Sequence, residues 1–287
     1  MRGSPTMLQY FARFPWRRSD RLASALFAFL GLSLGLLAAN TAQAVDMMSH
    51  RALYSVKLGE TKGTGGRFTG AEGAMSLQIE KTCDGWIMGQ KMQMRLDTVV
   101  DGEFQQDLSF TGWESLDFDQ YRFVSRNQFN AQVDKSNGRA DRKKAEASFS
   151  QPEEKSLTLP ENTLFPIGHT LWLIEQAEAG NRFVNATVFD GSDGGPPQKV
   201  TAFIAKAVNP ADHRAGQKDL GDPVAATGWP IRLAFYPLDG RSAEPEYEVE
   251  LFQLANGAAT RMLLDYEEFS IMLTLEEIET IPLPDCG

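Results

Sequence analysis

Cysteine and histidine are scarce in this sequence, and their scarcity argues against metal and thiol chemistry. The 287 residues include two cysteines, Cys83 and Cys286, and three histidines, His50, His169 and His213. No pair of these residues has the spacing of a metal site on one element, and no CxxC motif is present. We interpret the histidines as surface or helix-capping residues. The cysteines are interpreted as one structural disulfide, with two unpaired buried thiols as the alternative.

The common catalytic motifs are also absent. There is no SxxK motif, and Gly191–Gly194 has the wrong spacing for a GxSxG nucleophile elbow. The Gly63–Gly66 run lacks the lysine of a phosphate-binding loop, so a flexible hairpin loop is the better interpretation. Acidic residues are so numerous that pairs of carboxylates do not indicate a glycosidase. We therefore predict a protein that is not an enzyme and that carries no cofactor.

The N-terminus has the three parts of a secretory signal peptide. Basic residues, among them Arg17 and Arg21, precede an apolar stretch at Leu22–Ala39. The small-x-small pattern of a cleavage site follows at Ala42–Ala44. We predict a signal peptide at residues 1–44, cleavage before Val45 and a location in the periplasm of a Gram-negative bacterium; a retained membrane anchor is the alternative.

The charge balance is strongly acidic. Residues 1–44 contain five arginines and one aspartate, so their removal takes the formal net charge from −10 to −14. A chain with this charge is repelled by nucleic acid and by anionic membrane surfaces. After residue 44 no segment is long and apolar enough to span a bilayer, so we expect no nucleic-acid partner and no membrane span.

Most of the remaining sequence alternates apolar and polar residues with a period of two. This pattern is typical of β-strands with one buried face and one solvated face. Asx-Gly pairs, which favour the positive φ angles of tight hairpin turns, separate the segments. The clearest alternating segments are Met75–Glu80, Lys91–Asp97, Glu246–Leu251 and Phe269–Glu276, and the Asx-Gly pairs are Asp84-Gly85, Asp101-Gly102, Asn137-Gly138, Asp239-Gly240 and Asn256-Gly257.

One segment has helical periodicity instead. Pro166–Ala179 places Leu171 and Ile174 on an apolar stripe, with proline at its start and Gly180 just past its end. We predict one main amphipathic helix that packs on the concave side of the sheet and controls access to the interior.

These elements together predict an all-β fold in a single domain at residues 45–287. A large antiparallel sheet of many strands curls into a spiral, a barrel or a sandwich, and its apolar interior could hold a lipophilic ligand. Two polar stretches interrupt the strands. We predict a mobile loop or a long hairpin at Asp134–Glu154 and a long loop at Asn209–Thr227.

Two further features allow more than one interpretation. Phe189–Gly195 combines two aspartates and a serine with glycines, which suits either a tight turn between strands or a Ca²⁺ site; we favour the turn. The tryptophans are expected in the core, although they could also line a lipid or peptide groove. They are Trp86, Trp113, Trp172 and Trp229.

An ordered set of short motifs resembles the EipB-like cell-envelope integrity proteins of alphaproteobacteria. The resemblance extends over nearly all of the chain after residue 44. Its motifs are Thr82–Trp86, Ser109–Ser115, Tyr121–Phe123, Leu164–Pro166, Phe189–Gly194, Pro245–Glu248, Asn256-Gly257, Leu264–Tyr266, Phe269 and Cys286. The segment Phe118–Gln120 departs from the pattern, because it lacks the glycine expected at a turn.

The resemblance implies a spiral or broken-barrel antiparallel sheet with an associated helix. It also implies a disulfide between Cys83 and Cys286, which we expect to hold the C-terminal tail and to close the curled sheet. The implied role is maintenance of the cell envelope without known catalysis, with a periplasmic tetratricopeptide-repeat protein as partner. Two other roles remain open: a carrier or sensor of a lipid or lipoprotein, and, with less support, a hydrolase of an envelope polymer.

Overall fold

The computed structural model describes residues 47–62, 68–100, 102–214, 218–240, 242–266 and 268–287. The predicted signal peptide at residues 1–44, the Gly63–Gly66 run and Asp101 of the predicted Asp101-Gly102 turn lie outside these ranges. Within them, no helix combines the length and the apolar character needed to cross a membrane.

The described residues form fourteen strands and two helices. The strands are β1 (His50–Thr61), β2 (Phe68–Lys81), β3 (Gly85–Thr98), β4 (Gly102–Ser115), β5 (Gln120–Phe129), β6 (Gln132–Asp141), β7 (Glu146–Gln151), β8 (Lys155–Thr158), β9 (Phe183–Val188), β10 (Gln198–Ile204), β11 (Gly228–Pro237), β12 (Tyr247–Leu254), β13 (Ala259–Asp265) and β14 (Phe269–Thr280). The helices are α1 (Pro166–Glu178) and α2 (Pro210–His213), and a 3₁₀ turn covers Asp222–Val224.

All fourteen strands belong to one antiparallel sheet with the order β8-β7-β6-β5-β4-β3-β2-β1-β14-β13-β12-β11-β10-β9. The chain therefore makes two meanders, β1 to β8 and β9 to β14, which join where β1 pairs with β14. The sheet is not closed by strand pairing, because β8 and β9 form its two edges. The predicted all-β fold with one large antiparallel sheet is confirmed.

The sheet curls until its two halves meet. Tyr121 on β5 donates a 2.8 Å hydrogen bond to the backbone oxygen of Asp190, which follows β9. Ten strand positions separate β5 from β9 in the sheet order. A flat sheet, with about 4.8 Å between strands, would hold these strands roughly 50 Å apart. The contact therefore requires a strongly curled sheet, as expected from the number of strands.

Helix α1 packs on the inner face of the curled sheet, as predicted. Pro166 occupies the first turn, and Leu173, Ile174 and Ala177 are buried against side chains of β10 and β11. Leu171, on the predicted apolar stripe, is half-buried and packs against a separate cluster around Trp86. Leu173, which the predicted stripe did not include, is buried against β10 and β11.

The polar stretches differ in structure. Asp134–Glu154 contains most of the β6–β7 hairpin, which was one of its two predicted forms. The predicted turn at Asn137-Gly138 is wrong, because both residues lie inside β6 at a β-bulge. A Cβ atom at Gly138 would lie 2.4 Å from the Ser148 carbonyl oxygen, so the glycine permits close approach of β7 rather than a turn. Asn209–Thr227 contains α2 and the 3₁₀ turn.

Candidate functional site

A buried carboxylate anchors the start of α1. Glu114, near the end of β4, is 1% exposed. Its Oε1 accepts a 2.5 Å hydrogen bond from the amide of Ile167, and its Oε2 accepts a 3.0 Å bond from the amide of Gly168. Phe165, the N-cap residue of the helix, provides no side-chain capping bond. Glu114 therefore satisfies two free helix amides from a strand more than fifty residues away.

Burial dominates the electrostatics of Glu114. Desolvation raises its pKa to about 7, although the two amide hydrogen bonds and the charge of Arg142 oppose the rise. The start of α1 therefore depends on a carboxyl group that titrates near neutral pH. Both carboxyl oxygens of Glu114 accept hydrogen bonds from the first turn of α1, which is the arrangement of a helix anchor.

The loop between β9 and β10 closes the curl. Tyr121 donates to the Asp190 oxygen, and Ser136 on β6 donates a 2.6 Å bond to the Gly191 oxygen. Gly191 has a φ of 69°, and a Cβ atom there would lie 2.5 Å from the ring of Phe123. Only glycine fits this position, because both the backbone angle and the space exclude a side chain.

The predicted turn at Phe189–Gly195 is confirmed as the connection between β9 and β10. Asp190 Oδ1 accepts hydrogen bonds from the amide and hydroxyl of Ser192, and Asp193 Oδ1 accepts one from the amide of Gly195. Burial raises the pKa of Asp190. Both carboxylates therefore stabilise their own turns, and among the described residues no cluster of three or more metal-ligating side chains occurs.

The histidines do not form a common site. His50 and His169 are buried, which corrects their interpretation as surface or capping residues. Each has an Nε2 atom without a hydrogen-bond partner in the described structure, and burial lowers the pKa of both, to about 4 for His169. His213, at the end of α2, contacts the Ala226 oxygen through Nε2 at 2.9 Å. Periodicity around His50 could have indicated its burial, since it begins the inward-facing set on β1.

The tryptophans divide between the core and the surface. Trp86 and Trp229 are buried, as predicted, and Trp172 packs at the margin of the α1 core. The core prediction is wrong for Trp113, which is half-buried on the outer face of β4. It lies there because the buried neighbours Phe110 and Glu114 fix the inward face of the strand, and Trp113 has the opposite parity.

A groove of about 980 Å³ lies along the outer face of strands β3 to β8. Trp113 lines it, with the exposed guanidinium groups of Arg122 and Arg139 beside it. Arg122 and Arg139 are direct cross-strand partners on β5 and β6. The motif search did not find this pair, because the two arginines are separated in the sequence and meet only through strand pairing.

The family assignment follows from comparison with known proteins. The model of the EipB-like family matches residues 41–282. The chain belongs to the EipB-like family. The cell envelope integrity protein EipB of Brucella abortus is 27% identical over 251 residues, with 84% of this chain and 87% of that protein covered. A crystal structure of a β-barrel-like protein of a domain of unknown function, also from Brucella abortus, matches with a TM-score of 0.76 at 26% identity, covering 83% of this chain and all of the other.

In this EipB-like chain, Cys83 and Cys286 form a disulfide with 5.5 Å between their Cα atoms. Cys83 lies in the turn between β2 and β3, Cys286 follows β14, and both are exposed. The expectation that the bridge closes the curl is wrong. β14 is already joined to β2 through β1, so closure of the curl does not need the bridge. The bridge does hold the tail after Thr280, as expected, by linking it to the turn between β2 and β3.

Proposed function

We propose that this EipB-like chain is a non-enzymatic periplasmic protein that maintains cell-envelope integrity by binding another protein. The observation that carries the proposal is the family relationship to a cell envelope integrity protein over 84% of the chain. The proposed partner is a periplasmic tetratricopeptide-repeat protein, which is an expectation from the family resemblance.

The periplasmic location is supported by two independent features. The first is the signal-like sequence that ends at Ala44. The second is the exposed disulfide between Cys83 and Cys286, which is stable in an oxidising compartment. N-terminal sequencing of the protein recovered from the periplasmic fraction should begin at Val45. A full-length chain in the membrane fraction would contradict both cleavage and the proposed location.

The proposed absence of catalysis is supported by how two buried carboxyl groups are used. Glu114 anchors α1, and Asp190 stabilises the loop that follows β9. Each group therefore has a structural partner within the fold. A carrier that holds a lipophile inside the curl is the second candidate, but on the described strands the inner face is packed by α1 and by large aromatic side chains such as Phe123 and Phe165.

The test is complementation of a deletion strain of the host. Loss of the gene should make cells sensitive to detergents, and the wild-type gene should restore resistance. Glu114→Gln and Asp190→Asn should also restore it, provided that the variant proteins reach wild-type abundance. A variant that is abundant, folded and still cross-linked to its protein partner but fails to complement would overturn the non-enzymatic proposal.

The partner is tested by cross-linking in the periplasm. Cells that express an affinity-tagged protein are treated with a cross-linker, and the adducts are identified by mass spectrometry. The expected result is an adduct with a tetratricopeptide-repeat protein. Deletion of the gene for that protein should remove the adduct and should make the cells sensitive to detergents in the same way. Detergent resistance that does not depend on any cross-linked protein would overturn the proposal.

A further inference from the structure

A row of cross-strand paired side chains lies along the outer-face groove from β3 to β8. Each member pairs directly with the next across neighbouring antiparallel strands, so all of them lie on one face of the sheet. The row consists of Ile87, Trp113, Arg122, Arg139, Ser148 and Ser156. It presents an apolar end, two cations and two hydroxyl groups in that order.

The two arginines of the row are an unfavourable pair for stability. Directly opposed residues on an antiparallel pair have Cβ atoms about 4.5–5.5 Å apart, and like charges at that separation repel. No acidic side chain of the described residues lies within 4.0 Å of the Arg122 or Arg139 guanidinium groups. Arg51, Arg95 and Arg232, in contrast, each form an ion pair with a carboxylate on a neighbouring strand. The pair therefore presents a local positive charge that the fold does not neutralise.

The surroundings of the pair suit an amphipathic ligand. The Cζ atom of Arg122 lies 4.9 Å from the centroid of the Trp113 ring, which orients the guanidinium along the groove. Val124, on the same face, is 53% exposed. The remaining charged residues that line the groove, Glu154 and Lys155, are of opposite sign, so the two arginines supply its net charge. A volume near 980 Å³ is at the upper end of the range for a small-molecule site.

We propose that this groove binds a single anionic amphiphile with a phosphate headgroup. Arg122 and Arg139 hold the phosphate oxygens through their planar forks of N–H donors. The Ser148 hydroxyl donates to Glu146 Oε1 at 3.3 Å, so the two arginines supply the donors to the headgroup. Trp113 and Ile87 cover the first part of the apolar chain. The site is independent of the proposed protein partner, and either proposal can fail without the other.

An acidic peptide fits the groove less well than an amphiphile. The groove lies on the face of paired strands, where the backbone amides are already used within the sheet. Beside the two arginines a peptide therefore gains no main-chain hydrogen bonds, because only β8, at the far end of the groove, is a sheet edge. Around the arginines the donors come from side chains and are concentrated at one point, which matches a compact headgroup.

The acidic charge of the whole chain is consistent with a single bound molecule. Exposed charges are screened beyond about 8 Å at physiological ionic strength, so a phosphate between the arginines experiences mainly their field. An extended anionic bilayer, in contrast, meets the negative surface of the whole protein. The protein should therefore bind an anionic amphiphile that is dispersed in solution and should not adsorb to an anionic membrane.

The test is calorimetric titration of the protein purified from the periplasm, with short-chain lipids below their micelle concentration. Dihexanoyl phosphatidic acid should bind, and dihexanoyl phosphatidylcholine and inorganic phosphate should bind at least tenfold more weakly. Arg122→Gln and Arg139→Gln should each reduce affinity at least tenfold. Arg95→Gln, an outer-face arginine on β3 with three acidic neighbours, is the matched control and should leave affinity unchanged.

The melting temperature separates ligand binding from structure. Removal of one cation from a repelling pair should leave the melting temperature of the unliganded Arg122 and Arg139 variants unchanged or raise it. A variant that binds weakly because it has unfolded would show a lower melting temperature. In that case Trp113→Phe, which keeps an apolar aromatic ring, provides the second test. It should lose less affinity for the phosphatidic acid than the arginine variants.

Four results would overturn the proposal. The first is equal affinity for the phosphatidic acid and the phosphatidylcholine, and the second is equal affinity for inorganic phosphate. The third is binding of a hexaglutamate peptide as tight as that of the lipid, which would assign the groove to acidic peptides. The fourth is sedimentation of the protein with phosphatidylglycerol vesicles, which would indicate docking to a bilayer surface.

Discussion

Glu114 on β4 accepts a hydrogen bond from the backbone amide of Ile167 in the first turn of α1. The two residues join the first meander of the sheet to the helix that fills its interior. Because Glu114 is buried and its pKa is raised to about 7, this connection makes the stability of the protein depend on pH. The position of α1 on the sheet thus depends on one ionisable group.

Glu114→Gln should change the pH dependence of unfolding. The folded-state pKa of about 7 lies above the ordinary pKa of 4.5 for a glutamate, so the folded protein binds the proton more tightly than the unfolded chain. The stability that this group contributes is present at low pH and is lost as the pH rises through 7. The free energy of unfolding of the variant minus that of the wild type should therefore rise by about 2–3 kcal/mol from pH 5 to pH 8.

Urea unfolding at the two pH values measures this difference. Subtraction of the wild type removes the opposing contribution of His169, whose lowered pKa favours the folded state as the pH rises. Glu175→Gln, at an exposed position of α1, is the control and should give a constant difference. A constant difference for Glu114→Gln as well would show that Glu114 has an ordinary pKa.

Ile174→Ala should destabilise the protein through a cavity beneath α1. Ile174 is fully buried against β10 and β11, and truncation of such a side chain costs about 2–5 kcal/mol. Leu171→Ala should cost clearly less, because Leu171 is only half-buried. Urea midpoints for the two variants provide the measurement. Equal losses would mean that the helix is rotated from the position described.

Gly191→Ala should open the loop that closes the curl. An alanine there must adopt a φ near 69° and must displace the ring of Phe123. Gly180→Ala is a matched control, since Gly180 has a φ of 77° but nothing within 4 Å of the added Cβ atom. The control should lose about 1–2 kcal/mol from backbone strain alone. Gly191→Ala should lose about 1–3 kcal/mol more from overpacking, and equal thermal shifts would show that the contact with Phe123 is absent.

Removal of the disulfide should reduce stability without changing the fold. A Cys83→Ser, Cys286→Ser double variant loses a cross-link between residues 203 positions apart, for which about 2–5 kcal/mol is typical. Its circular dichroism should remain β-rich, because β14 is held by β1 and β13 without the bridge. Labelling of both cysteines by a maleimide in the native, unreduced protein would be inconsistent with the bridge.

The sequence by itself determined the local elements. Alternation with a period of two set the strands, since each strand has one buried face, and the proline and glycine around residues 166–180 marked the helix to within one residue. The two cysteines were sufficient to expect a disulfide, and the ordered motifs were sufficient to identify the EipB-like family. These features are local or depend only on order along the chain.

Tertiary structure alone decided which residues meet. The curl brings Tyr121 to Asp190, burial converts Glu114 from one acidic residue among many into the anchor of α1, and strand pairing places Arg122 beside Arg139. None of these pairs has a local signature, because register between strands is set by packing of the whole inner face. A shift of one residue in β5 would turn Arg122 inward and Tyr121 outward, so the groove and the closing contact both depend on a register that the complete sheet determines.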